Sequence, residues 1–303
     1  MTQALERSGF GRGLAYAFAA YGLWGLAPLY WPLLAPASAV EILAHRMTWS
    51  LIFLAILNGV RKNWSEIVAV MRNPRSLRLL AIASVLITIN WGLYIWSVVN
   101  DHVIDAAFGY FINPLINVAF GVIIFREHLR KAQWLAVAVA AVGVLFLTVD
   151  AGRLPWIGLV LGVTFSAYGM VKKKADVDAV ESLTVETILL LPFSLSYLVW
   201  LAVQGDLALG HHGVWQSVWT LMAGVVTAVP LLAFGAAAVR IPYSTMGLVQ
   251  YCSPTLQFLI GLVVYHEVMT HGRWIGFIIV WVALAIFSID AVRNGRNFAS
   301  SEE

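Results

Sequence analysis

Arg46 is the residue whose type and place demand most of their surroundings. It lies inside a long apolar run that opens near residue 39. An arginine in such a setting must be paired, hydrated or engaged with a ligand. Two roles fit: an anchor for an anionic or carbonyl group of a substrate, or a structural ion pair or snorkel toward the outer surface. Glu41 and His45 precede it at i,i+4 spacing and share a helical face, with Arg46 turned about 100° from His45. Glu41, His45 and Glu186 are the candidate groups for carrying a coupled proton. For Glu186, one turn into its own apolar run, the positive end of a helix gives a purely structural reason as well. Counted at about 1.5 Å per residue from the start of each run, Trp24, Asn90, Asn113, Tyr168 and Thr227 fall near the middle. Arg46, Tyr110, Gln250 and Tyr251 fall roughly a third of the way in on the same scale. With Trp91 and His45 these residues are the candidate walls of a central cavity, and helix packing is the plain alternative for each.

The elements that must position them are apolar helices. The 303 residues are 60% hydrophobic and 12% charged, with a mean hydropathy of +0.81. A soluble domain carries about 25% charged residues, so this surface calls for hydrocarbon rather than water. Cutting at charges and turn residues leaves ten runs of spanning length: 13–34, 39–57, 79–99, 103–125, 133–149, 156–171, 183–203, 217–238, 244–264 and 274–291. They are too long for barrel strands and lack alternation, so helices are expected. The first run is broken by Trp24, Pro28 and Pro32 and is longer than a signal peptide's apolar region, which marks it as a mature span. Pro28, Pro32, Pro114, Pro192, Pro230 and Pro254 are expected to interrupt helices and to free carbonyls.

Placement of charge orients the chain. With alternating spans and a cytoplasmic N-terminus, sixteen of the 19 Lys and Arg residues fall on the cytoplasmic side. Only Arg153 and Arg273 fall outside, and Arg46 lies within a span. The chain also repeats itself. At a shift of 140, Pro114 pairs with Pro254, Gly121 with Gly261, Glu127 with Glu267, Trp134 with Trp274 and Asp150 with Asp290. An odd number of spans per copy inverts the second copy, giving repeats over 1–151 and 152–303. Inverted repeats are the architecture of alternating-access carriers, with a site between the halves.

Several motifs resemble a known group. Tyr21-Gly22-Leu23-Trp24-Gly25 and Glu41-Ile42-Leu43-Ala44-His45-Arg46 look like the opening of the RarD branch of the EamA family, in the drug/metabolite transporter superfamily. Phe111-Ile112-Asn113-Pro114-Leu115, Tyr168-Gly169, Glu186-Thr187, Thr227-Ala228-Val229-Pro230-Leu231 and Gln250-Tyr251 extend the resemblance over essentially the whole chain. It implies an all-α membrane protein of ten helices in two inverted five-helix repeats, a central cavity, and transport of small metabolites or drugs. The branch takes its name from a link to chloramphenicol sensitivity.

Other functions find little support. There is one cysteine, Cys252, so no internal disulfide forms. His211-His212 with Asp206 is too sparse a set for a metal. No phosphate-cradling loop and no zinc-protease motif occur. Basic residues sit in short loops, which argues against nucleic acid. The expectation is a permease or exporter without cofactor or metal, working in a bacterial inner membrane with both termini cytoplasmic. Its partners are the bilayer, a small-molecule substrate and protons as coupling ion, and a homodimer is compatible with the sequence. The rival readings are a passive channel or facilitator and a membrane-embedded enzyme.

Overall fold

A computed structural model describes residues 2–125, 130–152, 154–238, 240 and 249–299. Among these residues the chain is all-helical. In order come α1 (Thr2–Tyr30), a 3-10 turn (Trp31–Leu34), α2 (Ala39–Arg61), α3 (Trp64–Arg72), α4 (Pro74–Val99), α5 (Val103–Phe125), α6 (Lys131–Ala151), α7 (Trp156–Ala175), α8 (Ala179–Gln204), α9 (Val214–Ala238), α10 (Cys252–Val263) and α11 (His271–Ala299). Six of these segments, in α2, α4, α6, α8, α9 and α11, are long and apolar enough to cross a membrane. Glu127, Arg126, Arg153 and the expected opening of the ninth run at 244–248 lie outside the described residues.

Local chemistry sets the helix ends. Ser38 accepts from the Glu41 amide and so caps α2. Asn73 accepts from the Arg75 and Ser76 amides ahead of Pro74, which suits a first helical position. The segment 58–78 contains α3, a short amphipathic helix that buries Ile67 against Leu80, Ala175 and Val185.

Prolines interrupt the helices less than expected, and α5 continues through Pro114. Helices α1, α8 and α9 run on through Pro28, Pro192 and Pro230, and Pro32 falls in the 3-10 turn. A proline lacks the N–H that would reach the carbonyl four residues earlier. In α1 those two carbonyls find donors elsewhere. Gln257 Nε2 donates to Trp24 O at 3.3 Å, and Tyr265 O–H donates to Pro28 O at 2.7 Å.

The principal helix pairs are α1–α9, α1–α10, α2–α8, α2–α9, α4–α7, α5–α7, α5–α10 and α6–α11. Each joins a helix from before residue 152 to one after it, so the two halves interleave. Close crossings need glycine: a Cβ on Gly109 would stand 2.5 Å from Gly158 O, and one on Gly224 2.4 Å from Trp49 C and O. Exposure is inverted relative to a water-soluble protein. Phe193 (75%), Val203 (79%) and Val149 (74%) face outward. Glu41, His45, Arg46, Asn90, Glu181 and Glu186 are buried. An apolar exterior of this extent is what lipid contact requires.

Candidate functional site: a buried arginine among aromatics and two acid clusters

Helix α2 carries the first group. Arg46 is 5% exposed, with its guanidinium carbon 3.7 Å from the Trp91 ring centroid and 5.2 Å from that of Trp31. Tyr94, Tyr110 and Tyr30 stand close enough to interact with it electrostatically. Among the described residues no carboxylate lies within ion-pair distance of Arg46, and its Nε, buried, has no hydrogen-bond partner. A cation over a desolvated ring gains about 2 kcal/mol. Burying the charge costs several kcal/mol, so two rings offset only part of it.

Around Arg46 the tyrosines divide. Tyr30 O–H donates to Trp219 O, and Tyr110 O–H donates to Asn90 Oδ1 at 3.1 Å. Tyr94 O–H is buried with no partner among the described residues, and its ring meets Tyr110 edge-on at 5.7 Å. One turn earlier, Glu41 Oε1 accepts from the Ala208 amide at 2.8 Å, tying α2 to the segment after α8. His45 Nε2 stands 3.5 Å from that same oxygen in a geometry that makes no hydrogen bond.

The other expected wall residues are distributed among helix contacts. Asn90 Nδ2 donates to Leu161 O at 2.9 Å and to Thr164 Oγ1 at 3.0 Å, which clamps α4 to α7. Asn113 Oδ1 accepts from Ser166 Oγ at 2.5 Å, joining α5 to α7. Thr227 O–H turns back onto Ala223 O in its own helix. Trp24 packs with Tyr21 and Phe234 between α1 and α9. Tyr251 joins the α5, α6, α10 and α11 core around Phe108, Phe258 and Phe277. Gln250 precedes α10 and is half-buried.

At the opposite end of the bundle Glu186 forms a compact cluster. Lys172 Nζ donates to its Oε1 at 2.6 Å, Ser182 Oγ donates to the same atom at 2.9 Å, and Tyr168 O–H donates to Oε2 at 3.1 Å. Lys172 also donates to Ser182 Oγ. Arg46 and Glu186 therefore have separate partners, as their difference in depth implies. Lys172 was not anticipated, although opposite charges at the facing ends of successive apolar runs are a readable signal.

A third cluster lies at the mouth bearing Asp105 and Arg273. Arg273 Nη2 meets Asp105 Oδ1 at 2.6 Å. Glu267 Oε1 accepts from the Val103 amide at 2.5 Å and the Ile104 amide at 3.1 Å. It thus caps α5 from a segment more than 160 residues later in the chain. These groups border a cavity of about 600 Å³ together with His102, Asp150 and His266. Burial pushes the Glu267 carboxyl up to about 7, and the nearby Asp105 pushes the same way. The two amides and Arg273 oppose the rise. The folded protein thus holds this proton more tightly than the unfolded chain between pH 4.5 and about 7. Stability is expected to fall as pH rises through that window. Glu267→Gln keeps the acceptor oxygen and removes the titration. Its melting temperature in detergent should vary less between pH 5 and about 7.5 than the parent's, by a few degrees. Parallel pH profiles would refute the assignment.

Residues 11–149 match the EamA-like transporter family. Protein RarD of Streptomyces exfoliatus is 50% identical, covering 94% of this chain and 90% of its own. The chain belongs to the RarD branch of the EamA family. The protein of Vibrio cholerae named "Uncharacterized transporter" is 42% identical over 94% of each chain. A solved crystal structure matches with a TM-score of 0.58 at 16% identity, covering 92% of this chain and 98% of that one, which speaks for the fold alone. As a RarD-branch member the chain is a multi-pass helical membrane protein of the drug/metabolite transporter superfamily.

Proposed function

We propose that the chain is a secondary active transporter that moves small metabolites or drugs across a bacterial inner membrane by alternating access. Its ten spans form two inverted five-helix repeats, 1–151 and 152–303, with both termini cytoplasmic. The observation that carries this reading is the interleaving of the halves around buried polar side chains inside an apolar shell. The family match to residues 11–149 supports a repeat boundary near 151. Helices α2 and α8 pack against each other, with Glu41 in the first turn of one and Glu186 near the start of the other. A site between two such halves is reached from one side at a time when they rock.

Proteoliposomes carrying the purified protein test this directly. Labelled metabolites and chloramphenicol are offered to vesicles preloaded with the same solute or empty. A carrier gives saturable uptake accelerated by preloading for at least one solute. Linear uptake without acceleration throughout would favour a channel, and a chemically altered product an enzyme.

A further inference from the structure

From the surroundings of Arg46 we infer that this residue and the Tyr94 hydroxyl form the binding site for the carboxylate of an organic monoanion. The site would serve transport only if the chain is a carrier, the reading on which the assignment rests.

The chemistry follows from what surrounds the guanidinium. Its face is taken by Trp91 at 3.7 Å, with Trp31 at 5.2 Å. Stacking of this kind fixes the plane of the guanidinium and leaves its in-plane N–H groups as the only donors to offer. Among the described residues none accepts from its Nε, which is buried. Neighbouring hydroxyls fall into two kinds: Tyr30 and Tyr110 already donate to Trp219 O and Asn90, and Tyr94 does not. The unpartnered Arg46 Nε–H and Tyr94 O–H can both donate, and the arginine adds a full positive charge. A planar fork beside a single O–H matches a carboxylate, which accepts two parallel N–H bonds and a third from the hydroxyl. A dianion is disfavoured because, among the described residues, Arg46 is the cation over the Trp31 and Trp91 rings. A cation or a hydrogen-bond donor would leave these donors unanswered. Arg46 is nearly sealed, so a ligand reaches it when α2 shifts against its neighbours.

The test uses the full-length protein in detergent at constant ionic strength. Benzoate, its neutral isostere benzamide, phenyl phosphate and chloride are titrated, with tryptophan fluorescence and melting temperature as readouts. Benzoate should saturate both signals, because a carboxylate seated against the stacked Arg46 changes the surroundings of the Trp91 indole. Benzamide, chloride and phenyl phosphate should each bind weaker by roughly tenfold or more. Arg46→Lys keeps the charge and loses the fork, so its benzoate affinity should drop by about tenfold. Arg46→Gln should lose the benzoate response while melting, without ligand, no lower than the parent, since an uncompensated buried charge has been removed. Benzoate binding no better than benzamide overturns the assignment, as does chloride or phenyl phosphate matching it. A large fall in the melting temperature of Arg46→Gln, restored in Arg46→Lys without benzoate binding to either protein or to the parent, overturns it in favour of a structural cation–π contact. Counterflow of some other solute with no benzoate binding sinks this site alone. Benzoate binding with no counterflow of any solute sinks the carrier reading and leaves the site standing.

Discussion

Lys172→Met should lower the melting temperature of the detergent-purified protein by roughly 10 °C, taking about 3–5 kcal/mol for a buried pair stripped of one partner and 2–4 °C per kcal/mol. The Glu186 side chain is 1% exposed and that of Lys172 20%. Removing the lysine therefore strands a carboxylate away from water, with Ser182 and Tyr168 as its remaining donors. Glu186→Gln leaves the partly exposed ammonium, which water reaches, so its loss should be smaller, at about 1–3 kcal/mol. The double substitution should be more stable than Lys172→Met alone, because no unpaired charge remains. If the double variant is worse than either single one, the pair is not the source of the effect. The same variants bear on proton coupling. An imposed pH gradient should drive flux through the parent in inverted vesicles. If Glu186 exchanges the coupled proton, Glu186→Gln should abolish the gradient-driven part and spare counterflow. Full gradient-driven flux in Glu186→Gln would remove this carboxylate from the pathway, leaving Glu41 and His45.

Gly224→Ala is expected to be almost as damaging, by about 3 kcal/mol or more, for a steric reason. The added methyl would stand 2.4 Å from Trp49 C and O and 2.8 Å from Ser50 N. All three atoms are backbone of α2, so no rotamer change relieves the contact and the α2–α9 axes must separate. Alanine gains about 1 kcal/mol over glycine in helix propensity, too little to offset the clash. Gly22→Ala and Gly169→Ala are the controls: both lie within helices with nothing within 4 Å of the new methyl. Those two should be neutral or slightly stabilising in the same thermal assay. Because α2 also holds Glu41, His45 and Arg46, any Gly224→Ala protein that folds should bind benzoate more weakly than either control. A Gly224→Ala protein as stable as the controls would mean that the helices approach less closely than described.

Apolar run length and charge placement made the helical class legible, and the run expected to open at residue 39 begins where α2 does. The amphipathic α3 escaped notice because a nine-residue helix with one buried apolar side carries little signal in hydropathy. Depth along a run was readable from residue counts, but azimuth was not. Thus Asn90, Asn113, Tyr110 and Thr227 were all visible as deep polar groups. Their sequence gave no hint that Asn90 and Asn113 clamp helices or that Thr227 bonds its own backbone. Trp31 and Tyr94 were missed as neighbours of Arg46 for the same reason: one closes the first run, the other lies within the third, and only packing brings them together.

The two proline-freed carbonyls of α1 have a mechanical consequence. A proline pair four residues apart ordinarily makes a pliant joint. Here the backbone oxygens at both steps are stitched to Gln257 and Tyr265, side chains supplied from beyond residue 250. Bending α1 at that joint means unfastening it from α10 first. The first helix and the tenth therefore travel as one strut, and the stiffness of that strut is set by two residues more than two hundred positions away along the chain.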